Sequence, residues 1–139
     1  MTAITFASPS ASCVINCSDG AEGDVYVAIE VAADGFTGHA DGHVAGASWS
    51  KFVAELAQLE RIRGGMAHLR SELPDEFELS VCSLDQFGHV GVDGVLRFQE
   101  HGRLQQLLQF AFEFDPSQLA AAVTMARSYL KIESVAKNL

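Results

Sequence analysis

Three residues in the first third of the chain, His39, Asp41 and His43, have types and a spacing that could do chemistry. Residues two apart on an extended strand share a face, so two imidazoles and a carboxylate would stand on one side, neighbours about 7 Å apart. That donor set suits zinc or another borderline metal, but one strand supplies only three ligands and a complete shell needs more from elsewhere. The same residues also fit the solvated polar face of an antiparallel sheet, or part of a surface that binds a partner. A nucleophilic thiol would need a base beside it, and nothing in the sequence places one next to Cys13 or Cys82. His68, His89 and His101 are dispersed and read as surface or structural residues. The AGAS stretch before Trp49 lacks the lysine and glycine spacing of a phosphate loop. The expectation is a protein without catalytic residues or a cofactor.

Charge is the stronger signal. The 139 residues carry 18 acidic and 9 basic side chains, a formal net of −9. No Lys or Arg precedes Lys51, whereas Asp19, Glu22, Asp24, Glu30, Asp34 and Asp41 all do. Such a potential repels phosphate backbones and anionic membranes and attracts basic proteins, so nucleic acid and membrane are excluded as expected partners and a basic protein is favoured. Acidity that merely keeps a protein dispersed is the plainer alternative. Glu30, Asp34 and Asp41, with His39 and His43 beside them, are the candidate partner-binding residues, because they join uncompensated charge to an outward strand face.

Three cysteines, Cys13, Cys17 and Cys82, are too few and too odd in number for a disulfide framework and suit a reducing compartment. On a strand Cys13 and Cys17 would lie about 13 Å apart, too far to bridge. The N-terminus has neither a basic leader region nor a long apolar run, and the expected location is cytoplasmic.

The elements that must position these residues follow from periodicity. Residues 3 to 7 and 12 to 17 are β-prone pieces around Pro9, with a turn at Ser18-Asp19-Gly20. Val25, Val27, Ile29 and Val31 alternate with more polar residues, Asp34-Gly35 turns the chain, and Phe36 to Val44 alternates again. From Ser48 the period becomes helical, with Trp49, Phe52, Val53, Leu56 and Leu59 on one stripe and a stop at Gly64-Gly65. The next stretch, MAHLRSEL, reads equally as a helical turn or the start of a strand. Phe77, Leu79 and Val81 lead through the Asp85 to Gly88 turn into Val90, Val92, Leu96 and Phe98, and a second hairpin around Glu100 to Arg103 leads on to Phe110, Phe112 and Phe114. Those three rings are expected on one inward face. Asp115 as N-cap, Pro116 at the first position and Gln118 reaching back in a capping box would start a last helix running to about Lys131.

Strands, helix, strands, helix is a segregated order, so the fold class is α+β, an antiparallel sheet in two strand blocks each followed by an amphipathic helix, in one domain spanning 1–139. The two halves are loosely parallel in layout, without a convincing repeat of 20 to 50 residues.

Trp49, Phe52, Leu56 and Leu59, then Gly65, Ala67 and Leu69, then Asp85, Gly88, Val90, Val92 and Gly94, and finally Phe110, Phe112, Phe114, Asp115, Ser117, Gln118 and Leu119 give the chain a pattern that resembles the WapI-type immunity proteins of bacterial polymorphic toxin systems and related uncharacterised small bacterial proteins. It spans roughly Val25 to Leu130 and leaves the first 20 residues unmatched. These are core, turn and cap positions. The resemblance implies a cytoplasmic, antitoxin-like protein that binds and neutralises a cognate toxin domain without catalysis, and it supplies no catalytic residue. Two other readings stand beside it: a small metal-binding or metal-dependent protein using His39, Asp41 and His43, and a homo-oligomer in which a sheet edge pairs two copies.

Overall fold

A computed structural model describes residues 2–73, 76–99 and 105–130. The first block is an antiparallel meander of β1 (Thr2–Ala7), β2 (Ala11–Asp19), β3 (Val25–Ala33) and β4 (Phe36–Val44), followed by α1 (Gly46–Ile62). The second repeats the plan with β5 (Met66–Arg70), β6 (Phe77–Ser83), β7 (Val90–Gln99), β8 (Gln105–Phe114) and α2 (Gln118–Arg127). The fold is therefore α+β, with two four-stranded antiparallel sheets rather than one.

Inward residues of both sheets and the apolar stripes of both helices merge into one core. Phe6 of β1 meets Phe114 of β8 with ring centroids 4.6 Å apart, a contact that joins the sheets directly. Each helix packs against the first strand of the opposite block, α1 on β5 and α2 on β1, and the helices also pack on each other. The Trp49 indole N–H, buried in that seam, donates to the Ala126 carbonyl at 3.0 Å, satisfying the ring's polar atom and giving that carbonyl a second donor beside the Tyr129 N–H at 3.2 Å.

The repetition reaches into the sequence. Cys17, Gly23, Val25 and Val27 stand 65 positions before Cys82, Gly88, Val90 and Val92. Gly23 and Gly88 both take positive φ, 85° and 90°, in the turn before the third strand of their block, where only glycine adopts the backbone without strain. The buried stripe Trp49, Phe52, Val53, Leu56 of α1 has the same spacing as Leu119, Ala122, Val123, Ala126 of α2. A longer link between β7 and β8 shifts the offset to 70 positions there, so no single period runs through the chain.

Several expectations are refined. MAHLRSEL opens with a strand, β5, paired to β6 from Met66 opposite Cys82 to Arg70 opposite Glu78. Helix α1 starts two residues before Ser48, at Gly46, which lies so close to the Gly23 carbonyl that a Cβ there would stand 2.8 Å from it. Its end is made by Arg63, not by a glycine: Arg63 takes φ 55° and donates its N–H to the Leu59 carbonyl at 2.8 Å. Phe110 and Phe114 are buried as expected, while Phe112 is only partly so. Asp115 accepts the Ser117 N–H at 2.9 Å, but it is not the N-cap: α2 starts at Gln118 with Ser117 in that position, and Pro116 stands in the turn before the helix. The capping box is not formed. Instead Gln118 reaches across to β1, accepting the Ala7 N–H and donating to the Ala7 carbonyl, both at 2.8 Å. The hairpin around Glu100 to Arg103 lies outside the described residues, and α2 ends at Arg127, short of the expected Lys131.

Candidate partner-binding face

The outer face of β3 and β4 carries the residues singled out by charge. Antiparallel register places Tyr26 opposite His43, Ala28 opposite Asp41 and Glu30 opposite His39. All four of Glu30, His39, Asp41 and His43 are exposed on this face. Asp34 is also exposed but belongs to the turn: with φ 49°, followed by Gly35 at φ 90°, it forms the two-residue hairpin link whose positive φ values match strand twist. Its N–H donates to the Ser10 carbonyl, tying the turn to the β1–β2 link.

Local interactions arrange this surface. The Tyr26 hydroxyl donates to the Asp41 carboxylate diagonally across the strands, and the Tyr26 ring meets the edge of His43 with centroids 5.2 Å apart. The hydrogen bond to Asp41 is the main cause that pushes the Tyr26 phenol above its ordinary range, ahead of burial and the charges of Asp41 and Glu76. Glu76, from the β5–β6 link, is a neighbour that the sequence reading missed. Its carboxylate occupies the space a Cβ on Gly42 would need, so glycine at 42 is what admits it. Burial first, then the charge of Asp41, raise the Glu76 carboxyl, against a lowering by His43. The Glu72 N–H donates to the His43 carbonyl at 2.7 Å, fastening the same link to the edge of β4. Glu76 lies 35 positions beyond Asp41, and no local spacing in the sequence could have shown that they meet.

The face does not assemble a metal shell. Asp41 is engaged by Tyr26 and His43 packs on the same ring, and among the described residues no three His, Cys, Asp or Glu side chains converge as a metal site would require. Nor, among the described residues, do nucleophile and base meet elsewhere. Burial pushes the thiols of Cys13 and Cys17 up to about 12, which keeps them protonated, and Cys82 is raised by burial and then by Asp93. Asp85 and His89 pair at 2.5 Å in an exposed turn, but the neighbouring Ser83 hydroxyl donates to the Asp85 carbonyl rather than to the imidazole.

The outer face of the second sheet forms a shallow depression of about 430 Å³ whose lining includes His68, Glu78, Ser80, Asp93 and Gln109. Glu78 is the centre of its ion pairs, 3.7 Å from His68, 3.8 Å from Arg70 and 4.0 Å from Arg97. Among the described residues no buried side-chain polar atom lacks a partner, so no built recognition pocket stands out. No helix among them is long and apolar enough to cross a membrane.

No protein-family model matches this chain, and no curated protein matches it.

Proposed function

We propose that this protein is a non-catalytic binding protein of the immunity class, which neutralises a cognate toxin domain by laying the acidic outer face of β3 and β4 on a basic surface. The observation that carries this reading is the gathering of exposed Glu30, Asp34 and Asp41 on one hairpin whose sheet, β1 to β4, has no Lys or Arg, extended across the β4 edge by Glu72 and Glu76. Interleaved imidazoles at His39 and His43 add hydrogen-bonding groups without a fixed opposing charge. Free, buried thiols suit the reducing compartment in which such a protein would meet its target. The toxin-neutralising role itself comes from the resemblance to WapI-type immunity proteins.

The test is kinetic. Glu30→Gln, Asp34→Asn and Asp41→Asn together keep side-chain size and the Tyr26 hydrogen-bond acceptor while removing three charges. Association with a basic toxin domain, measured at low and at physiological salt, should slow about ten-fold at low salt, with a flatter salt dependence, as expected for charges that steer encounter. A triple variant that associates at the unaltered rate would show that this face does not dock the partner.

A further inference from the structure

We propose that the outer edge of β8 is a self-pairing surface, on which a second copy of this chain adds its own β8 antiparallel across a two-fold axis at Gln109. The four sheet edges are treated differently. Gln118 bonds the backbone of β1 at Ala7, Glu55 of α1 accepts the His68 N–H of β5 at 3.3 Å, and Glu72 bonds β4 at His43. Strand β8 pairs with β7 along all ten residues, from Gln105 opposite Gln99 to Phe114 opposite Val90. Among the described residues no backbone group of Gln105 to Phe114 bonds anything beyond that pairing, except where the chain leaves for α2. An edge of this length is normally blunted by lysine, proline or a bulge. This one has no lysine, no proline and a single charge, Glu113.

The strand is complementary to itself in one register. Centred on Gln109, antiparallel pairing sets Gln109 against Gln109, Leu107 against Ala111 and Gln105 against Glu113 on the outer face. On the inner face it sets Leu108 against Phe110 and Gln106 against Phe112. Apolar meets apolar on the outer face and no like charges oppose. Moving the axis to Phe110 would instead set Leu107 against Glu113. Exposed apolar surface flanks the edge: Leu107 is 54% exposed, and Phe36, 68% exposed, lines a groove of about 220 Å³ with Leu108 and Phe110 beneath the strand. A two-fold contact of this kind is isologous and closes at two copies, so the two sheets join into one of eight strands without propagating into a fibre. It adjoins the acidic face at one residue, Asp34 of the β3–β4 turn, which lines the same groove, whereas Glu30, His39, Asp41 and His43 do not line it.

Sedimentation of the intact protein over a concentration series, with Gln109→Lys and Gln109→Glu, tests it. The unaltered protein should sediment as a dimer. Each variant should dissociate about five-fold more readily, because like charges oppose directly at the axis, and an equal mixture of the two should recover the association. Leu107→Lys, next on the same exposed face, is the second variant should either substitution at Gln109 disturb the fold. Amide exchange should slow on dimerisation within Gln105 to Glu113. A protein that stays monomeric to the highest concentration reached, a dimer indifferent to all three substitutions, or protection that rises elsewhere would each overturn the proposal.

Discussion

His89 and Asp85 form a pair whose behaviour with pH follows from its geometry. The Asp85 carboxylate lies 2.5 Å from the His89 Nδ1 and also accepts the N–H groups of Phe87 and His89, at 2.8 and 3.3 Å. The hydrogen bond from His89 is the first cause holding Asp85 below the ordinary 3.8, and the bond to Asp85 is the first cause raising His89 above 6.5. A raised histidine contributes stability that is fully present below its unfolded value and lost as pH rises through the folded one. A lowered carboxylate contributes stability that is present above its unfolded value and lost as pH falls through the folded one. The pair therefore holds the β6–β7 turn best between about 3.8 and 6.5. Titration of the His89 ring by NMR should give a midpoint above 6.5, and Asp85→Asn should bring it back toward the ordinary histidine value. An unchanged midpoint in that variant would assign the shift to another group. At this scale the sequence was half informative. The Asp85 to Gly88 turn and the Asp115 contact with Ser117 are short-range chemistry and are readable, although Ser117 rather than Asp115 takes the N-cap position. Gln118 fits a capping box by spacing, yet its amide finds a backbone N–H and carbonyl together at Ala7, 111 positions away, a pairing that satisfies both of its ends.

Strands and helices are placed by apolar period, and the period is clear wherever one face is buried and the other wet. That is why β3, β4, β6, β7 and α1 are legible, and why the acidic face could be assigned to the outside of β3 and β4 before any coordinates. Met66 to Arg70 is ambiguous because five residues cannot separate a period of 2 from one of 3.6. Phe112 follows the inward alternation but lies on an edge strand with a neighbour on one side only, so its ring is partly exposed. Gly94 shows the converse, an inward position where nothing larger fits. Its Cβ would stand 2.5 Å from Leu79 Cδ2, 2.6 Å from the Glu78 carbonyl and 3.0 Å from the Phe110 ring. Gly94→Ala should cost about 1–3 kcal/mol, the usual penalty for overpacking a core, read from the urea midpoint of unfolding. Retained stability would mean that β6 and β8 separate there more easily than their close packing implies.

At the scale of the whole molecule, the reciprocal placement of the helices decides how the protein holds together. The blocks cover each other's edges: α1 lies on β5, and β1 is covered by α2 and stitched to it through Gln118. The Trp49 indole N–H of α1 donates to the carbonyl of Ala126 in α2. A block alone would expose the inner face of four strands together with an apolar helix stripe, leaving Phe6 without Phe114 and Trp49 without its acceptor. Burial drives folding roughly in proportion to apolar area removed from water, so that exposure removes the driving force for either block. The sequence hides this interdependence because the two blocks share only a few residues and no single offset, and a repeat normally suggests units that stand alone or stack. Residues 1–65 and 66–139 expressed separately should therefore each lack a cooperative thermal transition by circular dichroism. Mixed in equal amounts, they should recover one transition and the dispersed amide spectrum of the intact chain. A cooperative melt from 1–65 alone would show that the first sheet finds cover within its own block and that the reciprocal packing is dispensable.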